Sequence, residues 1–260
     1  MNIKRKLIRL NWFISSQFGI DLKITALSVR GLPRYIRDLI HFRLNYKGRL
    51  EFAPCLHDWY QEGGSTKSEY FWQDLLVARM IFESNPEKHV DIGSRIDGFV
   101  AHVASFREVE VFDVRPVSTS VPGLIFKQAD FTQTSLESHD YCDSISCLHA
   151  LEHFGLGRYG DVLDPLGYSS GFANMSRMLR SKGKFYLSVP VGIERIEFNA
   201  NRIFDPNTIA SLALENLLQI SSMIAILPDG GFSVSESNQE YLNELANHRY
   251  TLVIFTFVKI

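Results

Sequence analysis

The feature of the sequence that most constrains its fold is an alternation of short β-like runs with longer helical segments after residue 85. Five runs rich in apolar and β-branched residues lie between residues 89 and 189. They are His89–Ile92, Val109–Asp113, Leu124–Gln128, Cys142–Leu148 and residues 184–189. Strands separated by helical stretches of suitable length are typical of βαβ units, which build a parallel sheet.

The C-terminal part adds two predicted strands, residues 217–227 and 250–258, with a predicted helix at about residues 236–246 between them. The last run is nearly all apolar, β-branched or aromatic, as expected of a strand buried on both faces. A further helix, capped by Ser65 or Thr66, is predicted to run to about Glu83. The whole pattern predicts an α/β fold with a doubly wound sheet of seven strands and a ligand at the carboxyl ends of the strands.

Charge divides the chain into a basic arm and an acidic body. Residues 1–50 carry eleven Lys or Arg against two Asp or Glu, a net charge of +9, and residues 51–260 carry −11. We predict a basic helical extension over residues 1–50, broken at residues 31–33, and an α/β domain over residues 51–260. The acidic body argues against a nucleic-acid partner. The arm is either a solvated helical face or a peripheral contact to an anionic membrane or a lipid-linked phosphate.

The sequence also bears on the compartment. No apolar run is long enough to span a bilayer, and no secretory signal is recognisable after the basic start. The cysteines, Cys55, Cys142 and Cys147, form no CxxC motif, and a reducing compartment is the simpler interpretation. We therefore expect a cytoplasmic protein, and a peripheral contact of its basic arm with the inner face of the membrane is a further hypothesis.

A glycine turn follows the first predicted strand. It contains Asp91, Gly93, Ser94, Arg95 and Gly98. Glycine lets a backbone approach a ligand closely, and a carboxylate there accepts hydrogen bonds. The dinucleotide fingerprint GxGxxG is absent, which counts against a nicotinamide or flavin enzyme. A tight turn without a ligand remains the alternative.

Acidic residues also follow the second and third predicted strands. Asp113 stands where a carboxylate can accept hydrogen bonds from both hydroxyl groups of a ribose. Asp130 and Phe131 stand where an adenine amino group and an adenine ring would lie. Each residue alone could be a helix cap or a solvated turn. One acid at each of three consecutive strand ends favours an adenosine-binding edge.

These motifs resemble the class I S-adenosylmethionine-dependent methyltransferases. Residues 143–153 are similar to the fourth strand and following "LEH" segment of many of them, and residues 178–190 to their helix, glycine turn and fifth strand. The resemblance implies a Rossmann-like fold with an antiparallel last strand. It also implies S-adenosylmethionine as cofactor. The implied cofactor-binding residues are Asp91, Gly93, Ser94, Arg95, Gly98, Asp113, Asp130 and Phe131. The usual GxG of the first turn is replaced here by Gly93-Ser94-Arg95.

A narrower resemblance covers about residues 50–205. The segment His-Phe-Gly-Leu-Gly-Arg-Tyr-Gly-Asp at residues 153–161, with residues 190–192 and 197–204, looks like a methyltransferase-like family of unknown function. Bacterial members of that family tend to be associated with surface-polysaccharide biosynthesis. The resemblance implies a saccharide or a related small hydroxyl compound as methyl acceptor.

His149, Glu152 and His153 are the candidate catalytic cluster. Their spacing places them on one face if a helix begins at the end of the fourth strand. A sugar hydroxyl has a high pKa, so its methylation needs a base or a metal. Two imidazoles and a carboxylate are a possible ligand set for a divalent ion. Alternatively, one histidine is the general base and the other packs in the core.

The remaining candidates lie in loops. Arg158 and Asp161, in a glycine-rich loop, are catalytic candidates, with a mutual ion pair as the alternative for both. The acceptor candidates are Tyr159 in that loop and Asn199, Asn201 and Arg202 after the fifth strand; a turn and a surface arginine are the alternatives. Two further groups of residues either cover the ligand site or serve ordinary packing. The first is Tyr70, Gln73 and Asp74 on the helix before the sheet, and the second is His57, Asp58 and Trp59.

Together these observations predict an S-adenosylmethionine-dependent O-methyltransferase acting on a saccharide or small hydroxyl acceptor in surface-glycan biosynthesis. One alternative is another nucleotide-dependent enzyme, such as a dehydrogenase. The other is a non-catalytic nucleotide-binding or scaffold protein on the same fold in a glycan-assembly complex. The sequence leaves the oligomeric state open.

Overall fold

A computed structural model describes residues 3–133, 139–228, 230–235 and 238–260, with side chains from residue 10 onward. The chain forms two compact units, residues 1–65 and 66–260. Residues 51–65, which the sequence analysis assigned to the α/β domain, lie in the first unit; the functional division after residue 50 stays a prediction. Among the described residues, no helix combines the length and hydropathy that a bilayer span requires.

The first unit contains two long helices, α1 (Ile3–Phe18) and α2 (Leu22–Asn45), and a short 3-10 turn at Asp58–Tyr60. The Asp21 side chain caps α2 by accepting from the amides of Lys23 and Ile24. The predicted break at residues 31–33 is wrong, because α2 continues through Pro33. Gly31 is buried against the Leu56 carbonyl, where a Cβ would have no room, so packing within the unit favours the continuous helix.

The second unit is built on a mixed sheet of eight strands in the order β3-β2-β1-β4-β5-β10-β8-β9. The strands of this sheet are β1 (His89–Ile92), β2 (Val109–Asp113), β3 (Leu124–Gln128), β4 (Cys142–Leu148), β5 (Leu179–Val191), β8 (Leu218–Ile226), β9 (Phe232–Ser235) and β10 (Thr251–Lys259). The first five are mutually parallel, and β10 runs antiparallel between β5 and β8. The predicted fold class is therefore confirmed, including the antiparallel last strand.

Two differences from the sequence prediction concern strands. β9 pairs with β8 as an added antiparallel edge, so the sheet has eight strands rather than seven. A short hairpin, β6 (Arg195–Glu197) and β7 (Asn201–Ile203), follows β5 and forms a separate small sheet. Both additions involve strands of three or four residues, which are too short to show a reliable period in the sequence.

Helices cover both faces of the sheet. α3 (Glu69–Ser84) and the short α4 (Ala101–Ala104) pack on one face, and α5 (Gly167–Met178), α6 (Pro206–Glu215) and α7 (Gln239–Ala246) pack on the other. The first two residues of the predicted helix at 236–246 lie outside the described residues. Strand β10 illustrates the two layers: Leu252 and Ile254 join the apolar cluster of α3, whereas Val253 and Phe255 join that of α5. This alternation fixes which side chains face each layer.

Candidate active site

The candidate site lies at the carboxyl ends of the parallel strands. The order β3-β2-β1-β4-β5 reverses direction between β1 and β4, and doubly wound sheets bind their ligands in the crevice at such a reversal. The turn after β1 and the segment after β4 meet there. A Cβ added to Gly93 would lie 3.0 Å from the Cβ of Ala150.

Asp91 organises the turn after β1. It is completely buried, and its Oδ1 accepts from the Ser94 amide at 3.1 Å. Its Oδ2 accepts from the hydroxyls of Ser94 at 2.6 Å and Ser146 at 2.7 Å. Burial raises the pKa of Asp91 to about 7, although these hydrogen bonds oppose the rise. Asp91 and Ser94 therefore shape the turn, and Gly93, at φ +72°, allows its left-handed conformation.

Asp113 stands at the end of β2, as predicted for a ribose-binding carboxylate. Arg115, two residues further on, donates to it from the backbone amide at 2.8 Å, from Nε at 3.0 Å and from Nη2 at 2.6 Å. The Arg115 guanidinium also lies 4.5 Å from the ring centroid of Tyr159. A ribose at this edge would share Asp113 with Arg115 or displace Arg115 from it.

The two residues predicted after β3 differ in their surroundings. Asp130 accepts at Oδ1 from the amide and hydroxyl of Thr132, which is a local turn of the kind that Asp favours. Phe131 is 2% exposed and packs edge-on against Phe112 in the core. The prediction that Phe131 lies against an adenine ring is therefore wrong, because its ring is used in the core.

Helix α3 packs directly on this edge. A Cβ on Gly98 would lie 2.7 Å from Oδ2 of Asp74, so the turn and the helix are in close contact. Gln73 donates to Asp74 at 2.9 Å and accepts from the Ser188 hydroxyl of β5 at 2.6 Å. Both side chains are buried. Gln73 and Asp74 thus pack the helix against the turn and the sheet, which was the alternative to covering the site.

Arg95 and Tyr70 lie nearer the surface of the same edge. Arg95 forms an exposed ion pair with Asp97, and its guanidinium lies 5.4 Å from the Tyr70 ring centroid. The Tyr70 ring in turn lies against the imidazole of His149, with centroids 4.7 Å apart. Tyr70 therefore links the turn after β1 to the segment after β4.

Four side chains at the end of β4, Glu69, His149, Glu152 and His153, form what we call the histidine cluster. Nδ1 of His149 lies 2.6 Å from Oε1 of Glu152, and Nε2 of His153 lies 3.7 Å from the same oxygen. Nε2 of His149 lies 3.4 Å from Oε1 of Glu69. The spacing argument assumed a helix that begins at the end of β4, but His149 has φ +52° and a 3-10 turn covers only Leu151–His153. The predicted residues meet through this tighter turn.

Charge distinguishes the two histidines. Burial lowers the pKa of His149, but the charge of Glu152, the hydrogen bond to it and the nearby charge of Glu69 outweigh burial and raise that pKa to about 9. The pKa of His153 is lowered, mainly by burial and further by the charge of Arg158, against the attraction of Glu152. At neutral pH the cluster therefore holds a cationic His149, an anionic Glu152 and a neutral His153.

The cluster does not fit a metal ion. Within the described ranges, no group of three or more His, Cys, Asp and Glu side chains is arranged to hold one. His149 is directed at Glu152 as an ion-pair partner, and His153 directs Nδ1 at the Ala200 carbonyl at 2.7 Å. We therefore derive no step through the metal that the sequence analysis considered at His149, Glu152 and His153.

The glycine-rich loop, residues 155–161, is shaped by Asp161. This carboxylate accepts from the amides of Gly155 at 2.8 Å, Gly157 at 3.1 Å and Tyr159 at 3.2 Å. The Asp161 carboxylate therefore stabilises the loop, and we assign Asp161 a positioning role in place of the predicted catalytic one. Arg158 does not pair with it; Nη1 of Arg158 donates to the Ala200 carbonyl at 2.8 Å.

The loop and the hairpin bring further predicted residues to the histidine cluster. The Tyr159 ring meets the His153 ring edge-on, with centroids 5.5 Å apart. Asn199 is exposed in the hairpin, and Asn201 donates to the Arg202 carbonyl. Arg202 is only 3% exposed and donates to the carbonyls of Glu152, Phe154 and Pro165. Arg202 is therefore not a surface or substrate-binding arginine; it clamps the turn that carries His153.

Some residues of the site were missed by sequence reasoning. Glu69 begins α3, and its carboxylate accepts from the hydroxyl of Tyr250 at 2.9 Å. Arg115 and Ser146 were missed as the partners of Asp113 and Asp91. An acid at the first turn of a helix is ordinary in a sequence, so only the fold reveals that Glu69 faces His149. The other candidates, His57, Asp58 and Trp59, belong to the first unit, and we assign them no place in this site.

Solved structures share this fold. A methyltransferase of Burkholderia thailandensis, the 1,6-didemethyltoxoflavin-N1-methyltransferase bound to S-adenosylhomocysteine, is 14% identical, with a TM-score of 0.51, and the match covers 78% of this chain and 80% of that one. The [4+2]-cyclase SpnF is 11% identical, with a TM-score of 0.50, and the match covers 72% and 80%. A search of curated proteins found no match.

The strand order and the match to solved structures show the class I S-adenosylmethionine-dependent methyltransferase fold, as the first resemblance predicted. A family model covers residues 124–255, just over half of the chain. Its description is "Caenorhabditis protein of unknown function, DUF268", and the chain belongs to this family. A family without a known activity agrees with the second resemblance.

Proposed function

We propose that this protein is an S-adenosylmethionine-dependent methyltransferase that methylates an oxygen atom of a saccharide or a related small hydroxyl compound. The observation that carries the proposal is the contact between the two halves of the site. The Gly93 turn, which suits the donor, lies beside Ala150, since a Cβ at Gly93 would lie 3.0 Å from the Cβ of Ala150. Ala150 lies in the chain between His149 and Glu152 of the histidine cluster. Donor and acceptor would therefore meet at the histidine cluster.

The turn after β1 and Asp113 are the residues that would hold S-adenosylmethionine. When bound, that cofactor supplies a methyl group on a positively charged sulfur. Gly93 offers backbone without a side chain, and Asp113 offers two acceptor oxygens for ribose hydroxyls. Asp91 and Ser94 stabilise the conformation of this turn through their mutual hydrogen bonds.

His153 is the proposed general base. Its Nδ1 proton is directed at the Ala200 carbonyl, which leaves the lone pair of Nε2 to accept a proton from the acceptor hydroxyl. The imidazole is neutral at neutral pH because burial lowers its pKa. His149 cannot take this role while it is protonated in its pair with Glu152. The two histidines thus have different tasks, one structural and one chemical.

Glu152 and Arg158 add binding capacity for an oxygen-rich acceptor. Oε2 of Glu152 is buried and has no hydrogen-bond partner among the described residues, so it can accept from a substrate hydroxyl. Arg158 has no carboxylate partner among those residues, so it can donate to a phosphate or carboxylate on the acceptor. The saccharide itself, and a role in surface-glycan biosynthesis, rest on the family resemblance of residues 153–161 and 190–204.

Calorimetry with S-adenosylhomocysteine tests the donor half of the proposal. We expect binding by the wild type and at least about tenfold weaker binding by Asp113→Ala, because hydrogen bonds to a charged acceptor are lost. The control is Glu87→Ala, which also removes one carboxylate, but from an exposed position before β1. Wild-type protein that binds neither S-adenosylhomocysteine nor S-adenosylmethionine would support the alternative, a scaffold protein on the same fold.

A second experiment tests the chemistry. With methyl-labelled S-adenosylmethionine and a panel of saccharide acceptors, His153→Gln should lose methyl transfer but keep donor affinity. Because SpnF is described as a cyclase on a similar fold, donor binding alone does not establish methyl transfer. Full activity of His153→Gln would overturn the assignment of His153 as base.

A further inference from the structure

Helix α2 of the first unit exposes an apolar stripe along its whole length. Its members recur every three or four residues, so they share one face of the helix. They are Val29 (69% exposed), Leu32 (44%), Ile36 (47%), Ile40 (58%) and Leu44 (68%). Single exposed apolar residues are common on protein surfaces, but a continuous row of five along one helix indicates an interaction surface.

The stripe is not the face by which α2 packs within its own unit. That packing uses Gly31, which is buried against the Leu56 carbonyl. It also uses Arg34, whose guanidinium lies 4.2 Å from the ring centroid of Trp59. At 100° per residue, the middle of the stripe lies at Val29 and between Ile36 and Ile40, and Gly31 lies about 160° from it. The helix therefore packs within its unit by a face well separated from the stripe and leaves the stripe itself uncovered.

Positive charge accompanies the stripe. α2 contains five Lys or Arg and one Asp, and residues 1–50 as a whole carry +9. Arg30 and Arg37 come next in rotation beside the stripe. The Arg37 side chain is 74% exposed and pairs with the exposed Asp38, and the Arg30 guanidinium lies 4.9 Å from the ring centroid of Tyr60. A second copy of the chain would bring two such basic surfaces together, which is electrostatically unfavourable. An anionic surface instead complements them.

We propose that α2 lies on an anionic membrane surface, with the apolar stripe inserted among the lipid headgroups and the flanking basic residues at the phosphates. α2 does not have the hydropathy of a helix that crosses a bilayer. A helix with an apolar face, arginines beside it and low overall hydropathy is typical of one that lies in the interface. The proposal concerns the first unit and is independent of the proposed methyl transfer.

Vesicle cosedimentation of the full chain tests the proposal. Vesicles of phosphatidylcholine with about 30 mol% phosphatidylglycerol should bind at least about tenfold more protein than phosphatidylcholine alone, because each basic residue near the surface adds to binding. The double variant Ile36→Asp/Ile40→Asp should lose this binding by at least about tenfold, since it places charge in the stripe. Both positions are exposed, so circular dichroism should show an unchanged fold.

The matched control is Leu214→Asp/Val234→Asp, two more exposed apolar positions of the second unit, and this variant should bind like the wild type. A rise from about 0.1 M to about 0.5 M NaCl should weaken wild-type binding to the anionic vesicles. Three results would overturn the proposal. They are no wild-type binding to anionic vesicles, unchanged binding by Ile36→Asp/Ile40→Asp, and a wild-type dimer in sedimentation velocity that this variant dissociates.

Discussion

The two halves of the candidate site are built from contacts of different range along the chain. We call the turns after β1, β2 and β3 the donor half, and the histidine cluster with the glycine-rich loop and hairpin the acceptor half. In the donor half, Asp113 bonds Arg115 and Asp130 bonds Thr132, each two residues away, and the bond of Asp91 with Ser146, 55 residues away, is the exception. In the acceptor half, His153 bonds the carbonyl of Ala200, 47 residues away.

This difference shows what each half demands of the fold. Short-range contacts form wherever the local sequence allows a turn, so the turns after β2 and β3 are largely preformed by their own residues, whereas the turn after β1 also depends on Ser146 of β4. The acceptor half exists only when β4, α3, β5 and the hairpin have come together. We therefore expect changes in the acceptor half to cost more global stability, and changes in the donor half to act mainly on ligand binding.

The largest expected effect is that of Glu152→Gln. It removes the anionic partner of a buried cation, and breaking a buried pair typically lowers the free energy of unfolding by about 3 kcal/mol or more. The matched control is Glu83→Gln, which breaks an exposed pair with Arg79 and should cost less than about 1 kcal/mol. Urea unfolding at neutral pH measures both. Equal losses of unfolding free energy in the two variants would show that the buried pair stabilises the fold no more than the exposed pair does.

The same pair predicts a pH dependence. His149 binds its proton more tightly in the folded chain, where its pKa is about 9, than in the unfolded chain, where it is near 6.5. Its stabilisation is therefore complete below about pH 6.5 and is lost as the pH rises through 9. Glu152→Gln should flatten the stability profile in this window, and an unchanged slope would contradict the assignment.

Arg202→Met should have the next largest effect. The arginine donates to three carbonyls around the turn of His153, and loss of buried hydrogen bonds from a charged group costs about 2 kcal/mol. Affinity for S-adenosylhomocysteine should stay unchanged if the two halves are separate. Arg79→Met, an exposed arginine on α3, is the control. A parallel loss of donor affinity in Arg202→Met would show that the halves are coupled.

Asp91 predicts a different pH window for the donor half. Its pKa is about 7 when folded, against 3.8 in a model peptide, so the folded chain binds the proton more tightly. The free energy of unfolding should then fall as the pH rises from about 4 to about 7, by roughly 2 kcal/mol between pH 5 and 7. Asp91→Asn should flatten that slope and leave the window of His149 unchanged. Unfolding at a series of pH values distinguishes the two residues.

The smallest expected effect compares two glycines. Gly93→Ala and Gly160→Ala both place a side chain at a positive φ, +72° and +89° respectively, which costs about 1 kcal/mol. The Cβ at Gly93 also meets Ala150 at 3.0 Å, whereas that at Gly160 meets nothing within 4 Å. Only Gly93→Ala should therefore weaken S-adenosylhomocysteine binding. Equal donor affinities of the two variants would remove Gly93 from the donor site.

Much of the fold could be predicted because its signals are local. The bounds of β1 to β4 follow from short apolar runs that end in turn residues, and the antiparallel β10 follows from the resemblance to the methyltransferase class. The hairpin and β9 were missed because strands of three or four residues carry too little pattern. Phe131 was assigned to the ligand because a sequence cannot distinguish an aromatic ring at a strand end from one in the core.

By itself the sequence determined the bounds of β1 to β4, the acids at the strand ends and three of the four residues of the histidine cluster, His149, Glu152 and His153. It could do so because each depends on residues close together in the chain. Only the tertiary structure decided the roles within the cluster. Glu152 keeps His149 a cation and is joined by Glu69 from α3, whereas burial lowers the pKa of His153 and keeps it neutral. Ala200 and Arg202 reach the His153 turn from distant segments and hold it in place. Burial and the contact with Glu69 depend on the whole fold, so the spacing of His149 and Glu152 alone does not give these protonation states.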